Sequence, residues 1–246
     1  MQKLKIGILG YGKMGKAVES LALERGHEIA WKAGAQTVDL LHAKALRTAD
    51  VVIEFSRPEA AAANVMRCID AGVPVVSGTT GWQSAVEQTA EYCRRMQGAM
   101  LWASNFSIGV NIFFALNRHA ASILGPLAEY LPRLEETHHI HKLDAPSGTA
   151  ITLAEELAAA AGGRIKSWRL QEDDRQPAEP SVTPIRAWRV DETPGTHTVH
   201  WEGPNDRITL VHEAHNRLGF AEGAVRAAEW LHGRTGVFSM RDVLGL

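Results

Sequence analysis

Three glycines near the start of the chain, in the run Gly10-Tyr11-Gly12-Lys13-Met14-Gly15, restrict the fold more than any other feature. They lie between a short apolar run of β-formers, Leu4 to Leu9, and a segment from Lys13 to Glu24 in which Met14, Val18 and Leu21 recur at helical spacing. Strand, tight turn and helix follow one another there, and that context makes a weak glycine pattern informative. In such a turn the first glycine permits a sharp bend and the second a close approach of backbone to a pyrophosphate. The third lets helix and strand pack, with the helix N-terminal amides facing the anion. A glycine turn without a ligand is the competing reading.

Further strands are expected at Glu28 to Ala33, Asp50 to Phe55, Val73 to Val76 and Ala99 to Ala103, with helices over Pro58 to Ala71 and residues 84 to 96. Strands alternating with helices at this rhythm predict βαβ units and a parallel sheet. After Asn105 the character changes. A helix through Val110 to Leu124 leads into a polar, histidine-rich run, then a helix from about Gly148 to Ala161, then β-like stretches at Ile185 to Val190, Thr196 to Trp201 and Arg207 to His212. Gln171 to Pro184, polar and proline-punctuated, reads as an exposed loop. A second domain with a mixed or antiparallel sheet fits, and a final amphipathic helix, Ala221 to Leu231, suits packing against the first domain.

With 246 residues, 22% charged and 45% hydrophobic, the chain can bury one large core or two modest ones, which excludes disorder as its main state. A net charge of −2 gives no bulk reason to bind nucleic acid or an anionic membrane. Cys68 and Cys93 sit in helical segments without metal-ligand spacing and read as free thiols. No stretch approaches the roughly 20 apolar residues of a membrane span, and the first residues lack the features of a secretory signal. A cytoplasmic protein is expected, without nucleic-acid or membrane partners.

An acidic residue about 20 positions after the glycine motif would take the adenosine ribose hydroxyls. The second strand instead ends Trp31-Lys32-Ala33-Gly34-Ala35-Gln36-Thr37, with no carboxylate. Lys32 is placed to approach a 2′-phosphate, which favours NADPH, but simple solvation accounts for it equally well, and the choice between NADH and NADPH stays open. Two more loops follow strands: Ser77-Gly78-Thr79-Thr80-Gly81 and Ser104-Asn105-Phe106-Ser107. Ligands of open α/β sheets sit beyond the carboxyl ends of strands, so both are positioned to touch a cofactor.

The stretch from Glu135 to Ala150 is the most informative in the chain. His138, His139, His141 and Lys142 put three imidazoles and an ammonium within five residues, just ahead of Pro146-Ser147-Gly148-Thr149. That tetrapeptide reads as a helix N-terminus capped by Ser147, whose amides would hold a carboxylate. With Lys142 and a histidine it forms an anion pocket suited to a small acid with more than one carboxylate. Histidine also brings a proton that is mobile near neutral pH. The competing readings are satisfied histidines on a half-buried strand, a solvated basic loop, and a zinc site. The H-H-x-H pattern lacks the usual zinc spacing, and no metal is expected.

At these residues the sequence resembles the dihydrodipicolinate reductase family, the 4-hydroxy-tetrahydrodipicolinate reductases of the diaminopimelate route to lysine. The likeness covers nearly the whole chain. It runs through Gly10 to Gly15, Glu54 to Pro58, Ser77 to Gly81, Asn105 to Asn111, Glu136 to Ala150, Phe220 to Arg226 and Met240 to Leu244. It implies an α/β enzyme with an N-terminal Rossmann-like dinucleotide-binding domain, residues 1–105 plus 216–246. A C-terminal α+β domain, residues 106–215, would serve substrate binding and oligomerisation as a homotetramer. The implied reaction is reduction of a cyclic imine dicarboxylate with NADH or NADPH, and closure of the two domains on their ligands is expected. On the family pattern His138 is the proton donor or acceptor and Lys142 a second donor, while His139, Gly148 and Thr149, with Ser147 beside them, bind substrate. Gly10, Tyr11, Gly12, Lys13, Met14 and Gly15, with Gly78 to Thr80 and Ser104 to Ser107, bind cofactor. The family often carries an acid, or an acid and an arginine, at the end of the second strand, where this chain has Gly34.

Loss of the ring hydroxyl would give an imine conjugated to a carbon–carbon double bond. Hydride addition at the far carbon then leaves an enamine that must be protonated at its neighbour. His138 is suited to supply that proton, and Lys142 to hold a carboxylate. Two other readings remain: a catalytically inactive dinucleotide-sensing protein, and another NAD(P)-dependent oxidoreductase of a small acid.

Overall fold

The computed structural model describes residues 2–34, 36–37, 42–171, 179–216 and 218–246. The chain divides into two units, Met1–Ile108 with Leu218–Leu246, and Gly109–Arg217. The first contains β1 (Lys5–Leu9), α1 (Lys13–Glu24), β2 (Glu28–Ala33), α2 (Ala43–Leu46), β3 (Val51–Glu54), α3 (Pro58–Asp70), β4 (Val75–Ser77), α4 (Gln83–Arg95) and β5 (Ala99–Trp102). The second holds nearly all of α5 (Ile108–Leu124), then β6 (Leu131–His138), α6 (Gly148–Ala160), β7 (Ser167–Leu170), β8 (Val182–Arg189), β9 (Thr196–Glu202) and β10 (Arg207–Glu213). The chain then returns to the first unit as α7 (Leu218–Leu231), β11 (Gly236–Phe238) and α8 (Met240–Leu244).

The sheet of the first unit has the order β11-β5-β4-β3-β1-β2, and its strand pairs are parallel. Every residue of β3 and β4 is buried, as parallel strands covered on both faces must be. On one face Ile6, Ile8 and Ile53 pack with Val18 and Ala22 of α1 and with Ala224, Ala228 and Leu231 of α7. On the other, Val52, Val75 and Met100 meet Val65 and Ile69 of α3 and Ala90 and Cys93 of α4. Cys68 and Cys93 are free thiols in this second layer, and burial pushes both upward in pKa.

The second unit carries a mixed five-stranded sheet, β10-β9-β6-β8-β7, in which β6 is antiparallel to β9 and parallel to β8. Leu134, Ile185, Val199 and Trp201 face Phe113 and Phe114 of α5 and Leu153, Ala154 and Leu157 of α6. The α/β class expected from the sequence is therefore present: a parallel sheet of dinucleotide-binding type and a second α+β domain.

One local reading that the sequence left open is resolved and one is corrected. The polar run before the histidines is strand β6, because its burial alternates strictly, with Pro132, Leu134, Glu136 and His138 on the covered side. Part of the loop expected over Gln171 to Pro184 is strand: Val182, Thr183 and Pro184 pair with Ser167, Trp168 and Arg169. Thr183 and Ile185 supply a buried period-two face that outweighs the proline signal, while residues 172–178 lie outside the described ones. The short elements α2, β7, β11 and α8 have too few residues to show a period of their own.

Candidate active site

The glycine loop of the first unit has the geometry its sequence requires. Gly10 adopts φ +90°, and a side chain there would place Cβ 1.9 Å from the Phe55 carbonyl oxygen. A Cβ on Gly15 would lie 2.3 Å from the Gly10 carbonyl oxygen, so α1 packs onto β1 only with glycine there. Gly12, by contrast, faces open space and begins α1 with no side-chain cap and no acid in the first turn. A cavity of about 500 Å³ opens beside this loop, lined by Gly10, Tyr11, Gly12, Gly34, Ser56, Arg57 and Arg67 among others. Its described lining includes two guanidinium groups and no carboxylate.

Lys32 does not line this cavity. Its ammonium lies 2.8 Å from the Glu19 carboxylate and 3.3 Å from the Tyr11 hydroxyl, which itself donates to Glu19. Those two hydrogen bonds, Glu19 first, raise the lysine pKa. Lys13 is exposed, and Met14 packs against the core.

The loops after β3 and β4 are tied together by Glu54, which is fully buried. Its carboxylate accepts from the Ser77 hydroxyl at 2.6 Å, the Thr79 hydroxyl at 2.9 Å, the Ser56 amide at 2.9 Å and the Ser56 hydroxyl. Thr79 therefore spends its hydroxyl inward. Gly78 lies against the Phe55 ring, and Thr80 is exposed. Phe106 is buried, edge-on to Phe55 at 6.0 Å, whereas Ser104 is exposed and Asn105 accepts the Ser107 amide at 2.9 Å.

In the second unit, strand alternation puts Glu136 and His138 on the face of β6 that carries Leu134. Register adds the rest: Glu136 is opposite His197 of β9, and His138 is opposite Arg189 of β8. Glu136 is 1% exposed. Its Oε1 accepts the Ser147 amide at 3.0 Å and the Arg189 guanidinium at 3.3 and 3.4 Å. Its Oε2 lies 3.4 Å from His138 Nδ1 and 3.7 Å from His197 Nε2. The Ser147 hydroxyl is 3.1 Å from His197 Nε2 and accepts the Ala150 amide at 3.2 Å, so this serine caps α6 as its sequence predicts. Arg189 also donates to the carbonyls of Lys142 at 3.1 Å and Asp144 at 2.6 Å, which fixes the loop leading to α6.

The charges follow from this packing. Burial lowers the His138 pKa; Glu136 opposes that, and the Lys142 and Arg189 cations reinforce it. Burial, with His138, His212 and Lys142 nearby, takes His197 down to about 3, so it is neutral at pH 7. Burial works to raise Asp144, but the Lys142 ammonium, 2.8 Å from both carboxylate oxygens, holds it below its ordinary value.

The histidines of the motif part company. His138 turns inward; His139 is half-buried with its ring 5.9 Å from that of His141; and His141 is exposed, 2.9 Å from Glu192. Gly148 opens the first turn of α6 to free space, and Thr149 beside it is half-buried. Ligand-type atoms of Glu136, His138 and His197 all lie within 4.8 Å of one another, a grouping that H-H-x-H spacing does not reveal. Any cation there would share Glu136 with Arg189. Glu54, Glu136, Arg189 and His197 were given no role from sequence. Glu54 and Glu136 lie inside the Glu54–Pro58 and Glu136–Ala150 motifs, but Arg189 and His197 reach the site only through strand register.

The family model described as "Dihydrodipicolinate reductase, N-terminus" matches residues 4–106, and "Dihydrodipicolinate reductase, C-terminus" matches 109–244. A 4-hydroxy-tetrahydrodipicolinate reductase of Christiangramia forsetii is 43% identical over 241 residues, 98% of each chain. One of Neisseria meningitidis serogroup C is 36% identical over 230 residues, 93% of this chain and 84% of its own. Among solved structures, dipicolinate-bound dihydrodipicolinate reductase from Paenisporosarcina sp. TG-14 superposes with TM-score 0.77 at 20% identity, covering 97% of this chain and 98% of that one. An amine dehydrogenase from Mycobacterium smegmatis gives 0.56 at 11% identity, over 97% and 95% of the two chains. These structural likenesses concern the fold, whereas the sequence matches concern descent, and on them the chain belongs to the dihydrodipicolinate reductase family.

Proposed function

We propose that the chain reduces 4-hydroxy-tetrahydrodipicolinate to tetrahydrodipicolinate, with His138 as proton donor and the Lys142 to Thr149 turn as the grip on the dicarboxylate. One observation beyond family membership carries the site assignment: a single buried carboxylate, Glu136, lies 3.4 Å from the His138 imidazole with one oxygen and accepts the amide of Ser147, the cap of α6, with the other. The N-terminal turn of α6, where Gly148 leaves space for a ligand, suits one carboxylate of the ring. Lys142 and His139, on the rim of the same turn, suit the other. A bound nicotinamide supplies the hydride. The enamine left after reduction needs a proton on the neighbouring carbon, and His138 delivers it. Burial leaves the free imidazole less basic than usual, but a dianionic substrate restores its proton by bringing opposite charge alongside.

The dinucleotide belongs at the Gly10 to Gly15 loop, where Gly12 leaves room for the pyrophosphate and α1 offers its amides. Thr79 and Phe106, whose side chains point inward, contribute through backbone, while Thr80, Ser104, Asn105 and Ser107 have side chains closer to the surface. NADPH is the better partner on this reading. Gly34 replaces the acid that would take the ribose hydroxyls, and Arg57 and Arg67 line the cavity beside it; Lys32 is committed to Glu19. A homotetramer is the proposed assembly, supported by exposed Trp188, Val190, Ile208 and Val211 on and beside the second sheet. Among the described residues no helix is long and apolar enough to cross a membrane, and the proposed location is the cytoplasm.

A synthase that makes the unstable substrate from pyruvate and aspartate semialdehyde, coupled to this protein, tests the reading. Loss of nicotinamide absorbance is expected with either cofactor, at lower concentration with NADPH. No oxidation above the synthase-only control would refute it.

A further inference from the structure

We infer that Glu136 is a positioning residue of the proposed reaction, holding the His138 ring by its Nδ1 edge while fixing the Ser147 amide that starts the substrate-binding turn. This rests on the activity proposed above. Oε1 is taken by Ser147 and Arg189. Oε2 faces His138 Nδ1 at 3.4 Å, and both atoms are buried without a hydrogen bond within ordinary limits. Two orphaned atoms of complementary type facing each other on one strand face mark a contact that tightens when the ring is charged. A protonated His138 gives the pair opposite charges, and a neutral ring is held with its proton on Nδ1.

The consequence is directional. With Nδ1 turned to Glu136, Nε2 is the edge left to act on substrate, and Gly195 leaves it room: a Cβ there would stand 3.1 Å from Nε2. In the transfer the Nε2–H bond breaks, a C–H bond forms on the enamine carbon, and the imidazolium becomes neutral imidazole. Glu136 stays ionised throughout, paired with Arg189. The charged and titratable groups facing His138 are Glu136 on its own strand, Lys142 and Asp144 from the following loop, Arg189 from β8 and His197 from β9. Of these only the two carboxylates favour the imidazolium, and Asp144 is engaged by Lys142.

Glu136→Gln keeps the shape and removes the charge. It is expected to lower kcat on the order of 10–100-fold, the range typical of a partner that orients a functional imidazole without touching substrate. The high-pH limb of the kcat profile should move to lower pH. In a His138→Gln background the same change should cost under about twofold, since partners acting as a unit are non-additive. An equal loss in both backgrounds, or an unmoved limb, would make Glu136 merely structural and overturn the inference. A readout on the unmutated protein guards against a misfolded variant: imidazole ¹⁵N shifts should show neutral His138 protonated on Nδ1. The Nε2–H tautomer would contradict it. That spectrum does not depend on turnover, so failure of the activity and failure of the positioning role are told apart. Exhaustive dialysis against EDTA should leave kcat unchanged; loss restored by Zn²⁺ alone would instead make Glu136, His138 and His197 a metal site.

Discussion

At His138 two opposing influences meet in one ring. Burial and the neighbouring cations favour the neutral imidazole, and Glu136 favours the charged one. A proton donor needs that balance, because a group too easily charged holds its proton and one too hard to charge never carries it. His138→Gln keeps a polar side chain of similar reach without a transferable proton and should cost 10²–10⁴-fold in kcat, measured in the coupled assay. Gly195 tests the same ring from its other edge. Its φ of +151° is rare for residues with a side chain, and its Cβ would press on Nε2. Gly195→Ala should therefore reduce kcat by roughly tenfold or more while leaving NADPH affinity, read by fluorescence titration, unchanged. His138, Lys142 and the serine cap were legible in the sequence because they share one contiguous run with helix-start chemistry. Nothing local marks Arg189 or His197, which reach the site across the sheet.

At the scale of the element, β6 organises the second unit. Its alternation puts Leu134 into the core and Glu136 and His138 beside it, so the same periodicity that builds the hydrophobic layer also buries the reactive pair. The polar composition of the segment left a half-buried strand and a solvated loop as competing readings of the sequence. The same rule recovers His197 from β9, whose buried positions are His197, Val199 and Trp201. His197 has a consequence for stability. The unfolded chain takes up its proton as pH falls through about 6.5, whereas the folded one stays neutral until near 3. Between those values the unfolded state binds more protons, so stability falls as pH drops. Burial shifts His138 and His212 in the same direction. The urea midpoint should fall between pH 7.5 and 5, above the range where carboxylates titrate, and the fall should be smaller in His197→Gln. An equal fall in both proteins would remove His197 as a cause.

For the molecule as a whole, the distinctive feature is a first unit completed only after the chain has built the second. Helix α7 adds seven buried residues to the first unit, and Gly223 lets it approach so closely that a Cβ would sit 1.7 Å from the Phe106 carbonyl oxygen. Glu229 of α7 then pairs with Arg25 at 2.8 and 2.9 Å and with His27 at 2.8 Å, just after α1. Removing it takes the carboxylate from the buried His27 ring and one ion pair from Arg25, so Glu229→Ala should destabilise the first unit by about 2 kcal/mol in urea unfolding. The alternation of strands and helices made the parallel sheet legible, and the alanine face of Ala221 to Leu231 pointed to a returning helix. Its ion pairs were not legible, since they join residues about 200 positions apart. In the proposed reaction the dicarboxylate sits on the turn that opens α6. A crystal grown with NADPH and pyridine-2,6-dicarboxylate tests this placement most directly: one carboxylate should lie on the Gly148 and Thr149 amides, with Lys142 on the other and His138 Nε2 facing the ring. The analogue bound away from that turn, or His138 presenting Nδ1 to it, would contradict the account.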